Sequence, residues 1–127
     1  MLKELIYSKS FIDLYSFSHA SWGMILFFIV DHLEIDFYNG LYIILFVKII
    51  FEVLENSEFV IRRYRKHYDK YYGDSFINIV GDILCGVLGY LFAYYFRALA
   101  VVYLIVMQII LKKYEADIFS LTFGIIF

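Results

Sequence analysis

The sequence predicts an all-α, polytopic membrane protein of about four transmembrane helices. Three observations carry this: 63% of the 127 residues are hydrophobic, the apolar residues gather in four long stretches, and the basic residues fall mostly between alternate stretches. The mean hydropathy is +0.74, and the apolar share exceeds the roughly 45–50% of an average soluble domain. Folded in water, a chain this short would bury only about two-thirds of its surface and leave large apolar patches exposed. Lipid is the solvent that fits the composition.

The stretches are residues 14–30, 41–61, 76–96 and 98–111. The second and third are long enough to span, because about 20 helical residues cover a bilayer core of about 30 Å. The fourth is short and borrows residues from around Tyr94, with no Gly or Pro marking the turn at Arg97. Residues 118–127 are apolar but too short to cross, which puts them at the interface as a short C-terminal helix or a re-entrant segment. No repeat, linker or low-complexity tract interrupts the chain, so residues 1–127 read as one domain.

Cytoplasmic loops keep an excess of Lys and Arg. Lys3 and Lys9 precede the first stretch, Arg62, Arg63, Arg65, Lys66 and Lys70 fill the loop after the second, and Lys112 and Lys113 follow the fourth. The first loop instead carries Asp31, Glu34 and Asp36. Both termini are therefore expected in the cytoplasm, with the acidic loop outside; only Lys48 and Arg97 fall elsewhere. The start MLKELIYSKSFID lacks the apolar core and cleavage site of a removable signal peptide. A formal charge of −2 with no basic face excludes a nucleic-acid footprint. The single cysteine, Cys85, reads as a small packing residue.

Charged groups near the centre of a membrane helix cost about 2.5–3.5 kcal/mol each on insertion scales, so their faces must meet other helices. Lys48, Glu52, Glu55 and Asn56 share one face of the second stretch, with Lys48 one turn from Glu52 and paired with it most simply. Asp74, Asn78 and Asp82 recur every fourth residue at the head of the third, and Gly81, Gly86 and Gly89 offer small surface for close approach. His19, Trp22 and Gly23 share a face of the first. Glu55 lies six positions before Ile61, Asp82 six after Phe76 and His19 five after Leu14. At about 1.5 Å per residue all three sit roughly 8–9 Å from the cytoplasmic boundary. Three helices are thus expected to converge on one polar cluster with Asn56 and Asn78.

Three chemistries suit such a cluster. Hydrogen bonds among the polar residues would fix helix register. His19, Glu55 and Asp82 would act as acid and base groups, the candidate catalytic set, with Asn56 and Asn78 orienting a substrate. His19, Glu52, Glu55 and Asp82 would serve as ligands of a divalent ion, although their spacing is not diagnostic of one. The basic run at Arg62, Arg63 and Arg65 is a topology signal, or a site for anionic lipid headgroups. Trp22 and the tyrosines 71, 72, 94 and 95 read as packing or interface anchors, and Asp74 or Ser75 as the cap of the third helix. No Walker motif, nucleophile elbow, CxxC or HExxH is present, and the sequence requires no cofactor.

Taken in order, DLYSFSH at 13–19, Gly23, FEVLENS at 51–57, RYR at 63–65 and YYGDSFINIVGD at 71–82 resemble domain-of-unknown-function family 2585. These are small integral membrane proteins, mostly alphaproteobacterial, and the resemblance covers nearly the whole chain from Asp13. The glycine-rich third stretch is more loosely similar to VanZ-like membrane proteins. The resemblance implies an inner-membrane location and no established activity. This chain departs from the family in having Trp22 where a second histidine is usual, no proline near Arg97, and no further spanning sequence upstream. Two functions remain open on the sequence: a structural membrane component of unknown biochemical activity, or a membrane-embedded enzyme acting on a lipid or lipid-linked phosphate.

Overall fold

A computed structural model describes residues 14–65, 75–113 and Ile118. Among these the chain is wholly helical: α1 (Leu14–His32), α2 (Phe37–Glu55), α3 (Glu58–Arg65), α4 (Phe76–Tyr95) and α5 (Arg97–Lys112). The N-terminal 13 residues and the basic segment 66–74 lie outside the described residues, as do 119–127 and with them the expected interfacial segment.

Helix α1 ends in paired turn bonds, Glu34 N–H to Asp31 O at 3.0 Å and Ile35 N–H to Val30 O at 2.9 Å, with Glu34 left-handed at φ 59°. Helix α2 starts at once, capped by Asp36, whose carboxylate accepts from the Asn39 backbone N–H at 3.2 Å. Those two amides of Asn39, backbone first and side chain second, hold the Asp36 carboxyl below its ordinary range.

The second apolar stretch does not continue to residue 61 as expected. Helix α2 begins earlier, at Phe37, and stops at Glu55. Asn56 ends it: its backbone N–H and its side-chain Nδ2 both donate to Glu52 O, at 3.0 and 2.9 Å. The Ser57 hydroxyl donates to Leu54 O at 2.6 Å and accepts from Val60 N–H at 3.5 Å, opening α3. Short polar side chains that bond the backbone compete with the helix ladder, and here they win. Helix α4 is capped by Ser75, whose Oγ accepts from Asn78 N–H at 3.2 Å. A single residue, Phe96 at φ −134° and ψ 65°, separates α4 from α5.

Helices α1 and α4 form the most extensive pair, and glycine makes it possible. A Cβ on Gly23 would lie 1.9 Å from Gly86 O, and one on Gly89 2.0 Å from Ala20 O, so the backbones touch where side chains would stand. Helix α2 packs across α4, and α5 closes over α1 and α4. The apolar core (Met24, Phe27, Val30, Ile44, Tyr90, Ala93, Ala100) fills the end of the bundle near the acidic loop. Tyr90 is buried there, its hydroxyl donating to Phe37 O at 2.9 Å. At the rim Arg97 grips Asp31 through two bonds, at 2.8 and 3.0 Å, with its guanidinium 5.3 Å from the Phe27 ring centroid.

Among the described residues two helices, α2 and α4, are long and apolar enough to cross a membrane, against the four expected from hydropathy. Helix α5 has only 16 residues, and α1 turns Ser16, Ser18, His19 and Ser21 inward. The spanning windows of α2 and α4 are only 22% and 39% buried in the bundle. Their outer faces expose Phe46, Ile49, Val53, Leu84 and Leu88.

Candidate functional site

At the opposite end from the apolar core, three helices bring their polar faces together. On α2, Lys48, Glu52 and Glu55 follow at i, i+4 and i+7, so one face carries all three inward. Helix α4 contributes Asn78 and Asp82 from successive turns, and α1 contributes His19. Each of these six side chains belongs to a residue no more than 6% exposed, in a bundle whose exterior is apolar.

His19 is the hub. Its Nδ1 contacts Lys48 Nζ and lies 3.8 Å from Glu52 Oε1, while Nε2 faces Asp82 Oδ2 at 3.3 Å. An ammonium offers only donors, so with Lys48 charged the Nδ1 atom accepts. The neutral ring then carries its hydrogen on Nε2, toward Asp82. Phe51 closes one side: its ring meets His19 edge-on with centroids 5.7 Å apart and lies 5.1 Å from Lys48 Nζ.

Lys48 reaches His19 because Gly86 lets it pass. A Cβ at Gly86 would lie 2.8–3.0 Å from three carbons of the lysine stem. Gly86 also touches Gly23, so one residue admits both the α1 backbone and the lysine. The close approach of α1 and α4 and the polar cluster are consequently one piece of architecture: Asp82 precedes Gly86 by one turn, and His19 precedes Gly23 by one turn.

Of the residues singled out by sequence, His19 and Asp82 are brought together and Asn78 is buried near them on the same helix face. Glu52 is the acid level with His19; Glu55 is buried three residues further on, at the last position of α2. Asn56 is half-buried and engaged as the cap of α2. Arg62 is exposed and paired with Glu58 on α3, away from the cluster. Arg63 and Arg65 belong to α3, but their side chains lie outside the described residues, as do Lys66, Lys70 and Asp74. Sequence reasoning gave Lys48 a partner in Glu52 but no place among the candidate site residues. Its spacing from Glu52 signalled the shared face; its contact with His19 depends on helix approach.

His19, Glu52 and Asp82 each offer one ligand atom within 4.8 Å of the others, a reach compatible with a shared ion. These same groups surround the Lys48 ammonium, which already supplies positive charge among them. The arrangement can do two things chemically: bind three helices through charge-assisted contacts, and pass protons between groups that donate and accept.

The family model described as protein of unknown function (DUF2585) matches residues 3–126. A UPF0314 protein of Brucella anthropi is 32% identical over 90 residues, covering 68% of this chain and 46% of that protein. A UPF0314 protein of Paracoccus denitrificans is 36% identical over 92 residues, covering 68% of this chain and 47% of that protein. The chain thus spans about half the length of the curated relatives it matches. No solved structure matches.

Proposed function

The chain belongs to the DUF2585 family, and from that premise we propose that it is an integral protein of the bacterial inner membrane, a bundle of four membrane-inserted helices locked by its buried charge cluster. The observation that carries this reading is an inverted distribution of polarity. Lys48, Glu52, Asp82 and His19 are buried, while Phe46, Val53, Leu88 and Ile109 face outward. Water would reverse that arrangement, whereas lipid favours it. A core helix of a soluble protein would be mostly buried, and α2 is not.

The two basic residues that break the positive-inside pattern both have acidic neighbours. Arg97 is held by Asp31, and Lys48 lies among His19, Glu52 and Asp82. Setting them aside leaves the acidic 31–36 loop outside and residues 62–70 inside, with both termini in the cytoplasm. In this role the cluster fixes helix register: sliding α1 or α2 by one turn against α4 would strand charge in the bundle. Removing one partner of a buried pair typically costs 3–5 kcal/mol, because the other charge is left uncompensated.

The test is cysteine labelling in intact cells on a Cys85→Ala background. Asp36→Cys should react with an impermeant maleimide from outside, and Lys66→Cys should react only after the membrane is opened. The reverse pattern, or release of the chain from membranes by alkaline carbonate, would overturn the reading. The enzyme reading on a lipid-linked phosphate draws on the same acid and base groups. It needs a cation to meet the phosphate; of the basic run, the one described side chain, Arg62, is turned to Glu58.

A further inference from the structure

Three helices meet at His19, and between them they supply the donors of a metal site. Helix α1 gives the imidazole, α2 gives Glu52 and the Lys48 amine, and α4 gives Asp82, all buried. One imidazole with two carboxylates is a donor set that first-row divalent ions take. The ligand atoms of His19, Glu52 and Asp82 lie within 4.8 Å of one another. An ion at the centre of such a triangle would stand at most about 2.8 Å from each atom, so shifts of about 0.7 Å reach bonds of about 2.0–2.2 Å. Rotation of the carboxylate side chains covers that distance.

Two further observations point to a cation at this place. One is already held there: Lys48 Nζ contacts His19 Nδ1, and its stem passes Gly86 to do so. The ring is also backed on both sides, with Glu52 Oε1 3.8 Å from Nδ1 and Asp82 Oδ2 3.3 Å from Nε2. A histidine that binds a metal through one nitrogen almost always turns its other N–H to a carboxylate. His19 Nε2, fully buried and without a hydrogen bond, is aimed at one.

We propose that His19, Glu52 and Asp82 form a binding site for one first-row divalent metal ion, and that Lys48 is a tethered cation which the ion displaces. The proposal goes beyond the structural role given above and rests on the same helix bundle. In the metal-bound state one ring nitrogen meets the ion, the other keeps its hydrogen toward a carboxylate, and the two positive charges answer Glu52 and Asp82. Lys48 turns along its own helix face toward Glu55, seven positions on, whose charge already acts on it. Metal and ammonium therefore exclude each other at His19. Helices α1, α2 and α4 are tied through a cation in both states, by contacts of the lysine in one and by bonds to the ion in the other.

The experiment uses the full chain without a histidine tag, in phosphatidylcholine vesicles, with zinc as the probe and empty vesicles as the blank. His32→Gln, His67→Gln and Cys85→Ala form the background, leaving His19 as the one histidine and no thiol to compete. Equilibrium dialysis should give one zinc per chain, and X-ray absorption at the zinc edge should show one imidazole among oxygen ligands at about 2.0–2.2 Å. His19→Gln and Asp82→Asn should each weaken binding by at least about tenfold. Lys48→Met should tighten it by about tenfold, because the competing ammonium is gone. A surface carboxylate that picks up zinc would not respond to Lys48→Met. No zinc on the background protein, a zinc shell without imidazole, or an affinity unchanged in His19→Gln overturns the site. Weaker or equal binding in Lys48→Met overturns the exchange. If a variant misfolds, dialysis and absorption on the background protein decide alone. Flotation of the same vesicles separates the two claims. A chain that does not float with lipid refutes the membrane reading, and one that floats and binds no zinc refutes only the metal site.

Discussion

Replacing Gly23 with alanine tests the joint between helix packing and the polar cluster. The new Cβ would stand 1.9 Å from Gly86 O, 2.8 Å from Gly86 C and 3.0 Å from Tyr90 N, all backbone atoms that no rotamer change can move. Restoring ordinary contact at 3.4 Å requires α1 and α4 to separate by about 1.5 Å at this level. Overpacking of a tight core costs about 1–3 kcal/mol, and a collision with backbone belongs at the upper end. Alanine returns up to about 1 kcal/mol of helix propensity. The net expectation is a loss of about 2 kcal/mol, roughly a 30-fold fall in the folded-to-unfolded ratio. The separation should also widen the contact of His19 with Asp82, since each lies one turn before its glycine. Unfolding in mixed micelles by titrated dodecyl sulfate, followed by circular dichroism, gives the free energy. Gly86→Ala is the comparison: its Cβ meets only lysine methylenes on the α2 side, which can shift, so it should disturb Lys48 more than overall stability. A Gly23→Ala protein as stable as wild type would refute the close approach of α1 and α4.

Other perturbations follow from single contacts. Tyr90→Phe removes the bond from a buried hydroxyl to Phe37 O and should cost about 0.5–1.5 kcal/mol in the same assay. Glu34→Gly relieves a left-handed residue at the end of α1 and should raise stability by about 1 kcal/mol; no gain would mean the turn is not formed. Asp31→Ala and Arg97→Ala should each cost only about 0.2–1 kcal/mol, because their side chains are 40% and 57% exposed, with a double-mutant coupling that fades in salt. Asp36 has a folded-state carboxyl below its ordinary range, so the stability it contributes is present above that range and lost as pH falls through the folded value. Asp36→Asn should flatten that acid limb, and an unchanged limb would show that the cap is not formed.

Much of the helical plan is legible in the sequence because apolar runs set helix positions to within a few residues. The polar face at Lys48, Glu52 and Glu55 follows from helical spacing alone, as do the small residues of α4. The break at Asn56 does not. Residues 51–61 read as continuous in hydropathy, and an asparagine on a polar face looks the same whether it faces a partner or caps its own helix. Ending α2 at Glu55 moves the expected depth of that residue, so Glu52 rather than Glu55 comes level with His19. The joining of Lys48 to His19 is likewise a tertiary fact: a long side chain on one helix reaches a second across a glycine on a third. Hydropathy marks four apolar stretches, and among the described residues α2 and α4 are the helices long and apolar enough to cross alone, while α1, with its inward serines and histidine, and the 16-residue α5 are helical without meeting that measure.

The central claim is that helices α1 and α4 hold His19 against Asp82 inside a lipid-embedded bundle. Magic-angle-spinning recoupling between 15N-histidine and 13C-aspartate, on the wild-type chain in vesicles, measures it without disturbing the site. With Nε2 at 3.3 Å from Asp82 Oδ2, one His19 nitrogen should show a strong coupling to an aspartate carboxyl carbon, lost in Asp82→Asn. A properly inserted chain in which no His19 nitrogen couples to an aspartate carboxyl, or in which the coupling persists in Asp82→Asn, would contradict the arrangement.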